Sequence, residues 1–346
     1  MSLHFTHQHR KALLLAGGLL LASAALLLLG VSVGSTGFDS VLNMQRDAQA
    51  MQIVWEIRLP RTAGAWLAGA LLGLAGAVAQ GLFRNPLADP YLLGSASGAS
   101  LGVAGAMALF GVSPLATHWL VRIGLTGAAF VGAVLAVLLT LLLAKGVQHT
   151  LRLLLAGVIV GVVLGAITSL TLLLTPDIMQ AMQSFMLGST GFVGWPACAV
   201  MASAFAASLL AAWMLSHVLD GLALGEATAQ SLGLRLPQMR AALVAVLALA
   251  TGTAVAQTGL IAFVGLAAPH LVRSVVKTTH GRLIVLASLM GAVLLMAADV
   301  LARWLIAPQE LPVGVLTAVL GGSYLLWLMH RTGAGVRGAG GQGAGL

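Results

Sequence analysis

Charged residues are scarce in this sequence of 346 residues. Asp, Glu, Lys and Arg together make up 8% of it, whereas hydrophobic residues make up 59%. Soluble globular proteins carry roughly 25% charged residues, and segments that cross a bilayer carry few or none. The composition therefore excludes an ordinary soluble domain and predicts an integral membrane protein.

The sequence also lacks the residue patterns that build redox, metal and nucleotide sites. Cys198 is the single cysteine, which excludes an internal disulfide and a thiolate metal cluster. The phosphate-binding pattern G-x-x-x-x-G-K-[ST] does not occur, so the chain has no usual cradle for ATP. We expect no catalytic residue, cofactor or metal in this chain. If this membrane protein takes part in active transport, the energy would then come from another subunit.

Acidic residues are missing from the middle of every long apolar run. All nine lie in connecting segments or near the ends of the runs, which argues against an ion-coupled transporter because such proteins normally need ionisable groups within the membrane. The nine histidines also lie near the ends, which argues against a haem held between two helices. The net charge of +8 comes largely from loops that orient a membrane protein, so we expect no nucleic-acid partner.

Ten apolar runs of membrane-spanning or nearly spanning length are present. They cover 12–33, 63–82, 92–112, 119–144, 153–174, 197–216, 241–256, 260–276, 283–302 and 313–329. We expect an all-α membrane protein with a single transmembrane domain over 1–346. It has a cytoplasmic N-terminus at 1–11, a helical bundle at 12–330 and a disordered Gly-rich cytoplasmic tail at 331–346.

Part of the sequence occurs twice at one fixed spacing. The tripeptide RLP at 58–60 recurs at 235–237, and AVAQ at 77–80 recurs at 254–257. Such internal repeats are typical of transporters built from two related halves. Spans 2–5 and 7–10 then form the two halves. An odd number of spans separates their starts, so the second half is inverted in the membrane.

Basic residues divide unevenly between the two sides of the predicted membrane. With a cytoplasmic N-terminus, the inner loops hold Arg10, Lys11, Arg84, Lys145, Arg152, Arg235, Arg240, Arg273, Lys277, Arg282, Arg331 and Arg337. The outer loops hold only Arg46, Arg58, Arg61, Arg122 and Arg303. Because inner loops of membrane proteins are enriched in Lys and Arg, both termini are predicted to be cytoplasmic.

Two local patterns concern packing and partner contacts. Small residues four apart predict close packing between the helices that would surround a transport path. They are Gly94, Gly98, Gly157, Gly161 and Gly165. The loop before span seven predicts a two-turn surface helix over 225–233, with an acidic residue at its start and glycine as its stop. Its candidate partner-contacting residues are Glu226, Ala229, Leu232 and Gly233.

Several motifs in fixed order resemble the permease subunits of type II ABC importers for iron-siderophore, haem and cobalamin, the FecCD-type iron-chelate permease family. They are RLPR at 58–61, RNPLADP at 84–90, E-x-x-A-x-x-LG at 226–233, FVGL at 263–266 with the PH pair at 269–270, and ELPVG at 310–314. One departure is GGSY at 321–324, where many relatives have G-x-P-F. This puts the local shape near the inner end of span ten in doubt.

The resemblance implies a homodimer with the path at its interface in the bacterial inner membrane. It also implies two ATPase subunits that bind ATP and Mg, and a periplasmic binding protein. The loop at 226–233 matches the family's ATPase-docking segment, and a bulky charged residue at Ala229 is expected to uncouple the ATPase without unfolding the permease. Arg58, Arg61 and Arg303 match positions where the family's arginines meet the binding protein.

The substrate is not determined by these patterns. We expect an iron chelate, either a siderophore or haem, with cobalamin as the alternative within the same family. An ion-coupled secondary transporter and a non-transporting anchor are the competing classes. The missing mid-span acids argue against the first, and the inverted repeat argues against the second.

Overall fold

The computed structural model describes residues 2–34, 37–38, 48–111, 119–144 and 150–339, and helices dominate these ranges. Val33–Gly34 (β1) and Gly37–Phe38 (β2) form one short antiparallel pair. The helices are α1 Ser2–Ser32, α2 Ala48–Ile53, α3 Leu59–Leu82, α4 Ser95–Phe110, α5 Trp119–Leu143, α6 Thr150–Leu174, α7 Met179–Leu187, α8 Trp195–Met214, α9 Ser216–Ala223, α10 Glu226–Ser231, α11 Leu236–Thr258, α12 Val264–Val275, α13 His280–Trp304 and α14 Val313–Ala339.

The predicted all-α architecture is confirmed, and each predicted span coincides with a helix. Among the described residues, seven helices are long and apolar enough to cross a membrane, counting α2 and α3 as one through the π-helical turn Val54–Arg58. Helix α4 and the apolar part of α14 are shorter. Helix α12 has only 12 residues, or about 18 Å at 1.5 Å per residue. Helix α12 is therefore too short to cross the hydrocarbon core of a bilayer without neighbouring segments.

The third predicted span is interrupted at its start. The structure places a 3-10 turn at Pro90–Leu93 before α4, and the two are separated by Gly94 with φ +78°. This left-handed backbone conformation is easily reached only by glycine. Gly94 therefore redirects the chain into α4, which begins after the predicted start of the span.

Helices α3 and α11 begin the two halves of the repeat and run in opposite directions. Near the start of α3, Arg61 Nε donates to Asp299 Oδ1 at 3.1 Å. At the end of α11, the Thr258 carbonyl accepts from Ser189 N at 2.8 Å. The next residue, Thr190, donates to the same Asp299 oxygen at 2.5 Å. The start of α3 and the end of α11 therefore lie together, as an inverted repeat requires.

These contacts define one end of the bundle, which we call the Arg61 end. The opposite end, the Glu226 end, contains α10 and the start of α11, joined by an ion pair of 2.5 Å between Glu226 and Arg240. Helix α1 finishes at the Arg61 end, where the Val31 carbonyl accepts from Arg58. Helix α14 starts there, since Gly314 N donates to Gly188 O. The free ends of both terminal helices therefore lie toward the Glu226 end.

Helix α14 is longer than the predicted tenth span. It continues to Ala339, so residues 331–339 are helical rather than disordered as predicted. No proline follows Pro312, so nothing interrupts the hydrogen-bond ladder despite the glycines. Residues 340–346 of the predicted tail lie outside the described residues.

Glycine brings α3 and α13 into backbone contact. A Cβ added at Gly69 would overlap the carbonyl oxygen of Gly291, and one at Gly291 would overlap that of Gly69. One turn further along α3, a Cβ at Gly73 would overlap the carbonyl oxygen of Ala287. The two helices are antiparallel along this seam, and a membrane offers no hydrophobic drive to replace such close packing.

The predicted packing glycines also lie at helix contacts, with one exception. A Cβ at Gly98 would overlap the Gly132 carbonyl on α5, and one at Gly157 would overlap the Leu92 carbonyl. Gly94 and Gly161 face neighbouring side chains at 3.2 Å and 3.6 Å from an added Cβ. Nothing among the described residues lies within 4 Å of a Cβ at Gly165, so the structure gives this glycine no packing role.

We predict that Gly291→Ala destabilises the protein by about 1–3 kcal/mol, the usual cost of forcing extra volume into a packed contact. Gly127→Ala is the matched control, because nothing among the described residues lies within 4 Å of a Cβ there. The melting temperature of the detergent-solubilised protein measures both effects. Equal melting temperatures for the two variants would show that the seam tolerates the extra methyl group.

Candidate functional site

A buried carboxylate organises the Arg61 end. Asp299, near the end of α13, is fully buried, and both of its oxygens are occupied. Oδ1 accepts from Arg61 and Thr190, and Oδ2 accepts from Arg303 Nη2 at 2.6 Å. Two guanidinium groups and a hydroxyl thus compensate one charge that would otherwise be costly to bury.

The same two arginines extend the network to other segments. Arg61 Nη1 contacts both carboxylate oxygens of Glu310 at 3.0 and 2.8 Å. Arg303 Nη1 donates to the carbonyls of Gly30 and Val33 at 2.7 and 3.1 Å. The network therefore joins α1, α3 and α13 to the segment before α8 and to the loop before α14.

Arg61 and Arg303 were expected to meet the binding protein, a contact that requires exposed side chains, but both are buried in this chain; their docking role stays a prediction. Arg61 is 8% exposed and Arg303 is 2% exposed, because Asp299 and Glu310 hold Arg61, and Asp299 also holds Arg303. Arg58 is half-buried and donates to the Val31 carbonyl at 3.1 Å. The i, i+4 spacing of Asp299 and Arg303 was the sequence signal available for this network, since such pairs meet on one helix face.

The predicted helix at the Glu226 end is present as α10. Glu226 is its first residue, and Gly233, with φ +80°, follows its end. Leu232 is 64% exposed, whereas Ala229 is fully buried. The Ala229 methyl group faces α9, so its burial argues against the expectation that a bulky charge there leaves the permease folded, which stays a prediction. Leu224, just before α10, is 68% exposed and was not singled out from the sequence.

Further polar contacts fix the Glu226 end to the bundle. Asp220 on α9 contacts His280 Nδ1 at 2.7 Å. Gln80, at the end of α3, donates to the Leu266 carbonyl at 3.1 Å and accepts from Arg273. These three contacts each join the end of a helix to a segment distant in sequence.

The turn between α3 and α4 is closed by its own carboxylate. Asp89 Oδ1 accepts from Tyr91 N at 2.8 Å, and Tyr91 OH donates to the Ile261 carbonyl at 3.1 Å. Burial raises the pKa of Asp89, although the bond from Tyr91 N opposes that shift. Burial and the nearby Asp89 charge also raise the pKa of Tyr91. The RNPLADP segment therefore forms a fixed connection between the two halves of the repeat.

An open groove with mainly apolar walls and a few polar groups lies at the Arg61 end. This groove is lined by Phe185 and Phe192 beside Thr126, Ser184 and Gln257. In the described part of the chain, no group of three or more His, Cys, Asp or Glu side chains is arranged to hold a metal ion. The walls of this groove therefore present aromatic surface and weakly polar groups.

Antiparallel repeat halves, membrane-length helices and polar networks at both ends define a polytopic membrane transport protein. The model of the FecCD transport family matches residues 18–331. The hemin transport system permease protein HmuU of Yersinia pestis is 37% identical over 92% of this chain and 96% of that protein. The vitamin B12 import system permease protein BtuC of Escherichia coli O157:H7 is 40% identical over 81% of this chain and 84% of that protein.

A solved structure gives the same result at the level of the fold. It is described as an inward-facing conformation of a metal-chelate type ABC transporter, with a TM-score of 0.81 and 28% identity over 91% of this chain and 98% of that one. The chain belongs to the FecCD transport family and is an ABC importer permease. Its named relatives are permease proteins of transport systems.

We predict that Asp299→Ala destabilises the protein by about 3–5 kcal/mol, because it leaves the buried Arg303 without its carboxylate. Glu310→Ala is the matched control: its side chain is 33% exposed, and Arg61 keeps Asp299 in that variant. A partly exposed pair is expected to contribute about 0–1 kcal/mol. Denaturant titration in detergent measures both, and equal midpoints would contradict the organising role of Asp299.

Proposed function

We propose that this chain is the permease subunit of an ATP-driven importer that carries an iron chelate, haem or a ferric siderophore, into the cytoplasm. The observation that carries the proposal is the similarity to a hemin permease over nearly the full length of both chains. The structural similarity to a metal-chelate type transporter supports the same substrate class. Cobalamin is the alternative substrate, because the vitamin B12 permeases are 40% identical to this chain.

The placement of charge supports ATP as the energy source. Among the described residues, Asp299 is the buried acid of a membrane-length helix. Its negative charge is compensated by Arg61 and Arg303. A carboxylate held in this way is a poor carrier of protons or cations, which ion-coupled transporters need within the membrane. The proposal therefore assigns energy coupling to two separate ATPase subunits that bind ATP and Mg.

The proposed assembly has two copies of this chain in the bacterial inner membrane. The Glu226 end faces the cytoplasm, which puts both termini there, and the Arg61 end faces the periplasm. Exposed Leu224 and Leu232 flank α10 and are suited to an apolar contact with an ATPase. At the other end, partly exposed Glu310 of the Asp299 network and half-buried Arg58, which bonds to the end of α1, are charged groups open to a binding protein.

We predict ATP-dependent uptake of haem or a ferric siderophore by proteoliposomes that contain this permease, its cognate ATPase and its binding protein. Each chelate and cobalamin are tested separately, with a hydrolysis-deficient ATPase as control. Uptake of cobalamin alone would favour the alternative substrate. Uptake driven by an ion gradient without the ATPase would contradict the proposed function.

We also predict that Leu232→Asp weakens ATPase association at least about tenfold while the permease keeps its melting temperature. The leucine is exposed, and an apolar anchor at an interface contributes about 1–3 kcal/mol. Ala229→Asp is the contrasting variant, since its buried position should lower the melting temperature itself. Pull-down of the ATPase by each variant separates the two effects, and normal association of Leu232→Asp would rule out docking through this residue.

A further inference from the structure

Helix α13 takes part of its N-terminal cap from another helix. Its N-cap residue, Thr279, makes no side-chain capping bond. Instead, Asp220 Oδ1 on α9 accepts from His280 N at 3.0 Å and contacts His280 Nδ1 at 2.7 Å. The first N–H groups of a helix lack partners within the helix, and a negative charge is favourable there. Asp220 therefore supplies both an acceptor and a charge to the start of α13.

The helix that supplies this cap is packed against α10 and the bundle. Gly221 is next to Asp220, and a Cβ added there would meet the side chains of Leu234 and Ala229. The Leu219 side chain is fully buried. The two helices are joined by a short turn in which Gly225 N donates to Leu222 O at 3.1 Å. Helices α9 and α10 thus form one compact unit, which we call the α9–α10 unit.

The cap also lies against the end of α3. A Cβ added at Gly81 would come within 3.0 Å of the His280 ring and 3.2 Å of the Leu219 side chain. A side chain at Gly81 would therefore separate α3 from the capped start of α13. Because Gly81 has no side chain, α3, α13 and the α9–α10 unit stay in mutual contact.

Helix α13 connects this cap to the opposite end of the molecule. Its 25 residues span about 37 Å, and Asp299 and Arg303 in its last turns belong to the network at the Arg61 end. The glycine seam holds α13 to α3 by backbone contact, so the helix cannot easily shift alone. A displacement applied to its N-terminus would therefore reach the Arg61 end.

We propose that Asp220 is a positioning residue that transmits movement of the α9–α10 unit to α13, and through α13 to the Arg61 end. The proposal rests on the proposed function, in which the ATPase contacts this unit. The ion pair between Glu226 and Arg240 joins the same unit to α11. Movement at the Glu226 end would then reach α11 through Glu226 and α13 through Asp220.

The test compares Asp220→Ala and Asp220→Asn in proteoliposomes with the cognate ATPase and binding protein. The measured quantity is chelate transported per ATP hydrolysed. We expect this ratio to fall in Asp220→Ala with unchanged assembly of the complex, because α13 would lose the carboxylate that links its start to the α9–α10 unit. Asp220→Asn should recover part of it, because its amide oxygen can still accept from His280 N.

Asp177→Ala is the matched control, since Asp177 is exposed in the turn Pro176–Ile178 and should leave the ratio unchanged. Coupling between positions is shown by an interaction energy rather than by proximity. The effects of Asp220→Ala and His280→Ala on the chelate transported per ATP should therefore be non-additive when the two substitutions are combined. An unchanged ratio in Asp220→Ala overturns the proposal. A loss of assembly that Asp220→Asn does not restore also overturns it, since the role would then be structural.

A second measurement does not depend on the chelate. Spin labels at His217→Cys on α9, which is exposed and outside the proposed docking residues, and at Val285→Cys, on a Cys198→Ser background, report the distance between the α9–α10 unit and α13. We expect this distance to be the same with and without ATP in the parent complex, and to change with ATP when Asp220→Ala is added. A parent distance that changes with ATP overturns the proposal. If no chelate is taken up at all, the proposed function fails, while this distance still decides the role of Asp220.

Discussion

The hydrocarbon core of a bilayer cannot solvate a backbone amide or a charge, and this constraint accounts for most of what the chain does. Polar groups at membrane depth must find partners within the protein. Asp299 meets this requirement with Arg61, Arg303 and Thr190. Another N–H group of Arg303 donates to the Gly30 carbonyl near the end of α1. The Arg61 end is therefore built around one carboxylate that has to be neutralised.

The sequence was informative wherever the determining interactions were local or periodic. Apolar run lengths predicted the helices, and the recurrence of RLP at 58–60 and 235–237 predicted two opposed halves, which the antiparallel course of α3 and α11 confirms. The place of α10 was predicted from an acidic start and a glycine stop. Each of these signals lies within a short window of the sequence.

Where the decisive partner lies far away, the sequence was misleading. Basic residues near span ends were taken as exposed, yet Arg61 is held by Asp299 and Glu310, more than two hundred residues further along the chain. Ala229 was predicted to face a partner because small apolar residues suit an interface, but α9 already covers it. Side-chain type determines what a residue can bind, but the fold determines which partner lies close enough to bind it.

The contact between Gly69 and Gly291 has a consequence for how this chain can vary. At each position the missing side chain would meet the backbone of the other helix, and backbone cannot be replaced by substitution. A larger residue on α3 therefore has no compensating smaller residue on α13, because neither helix has anything left to remove. Relatives that gain a side chain at either site have to separate the two helices, so the seam should vary as a change of geometry and not as an exchange of residue pairs.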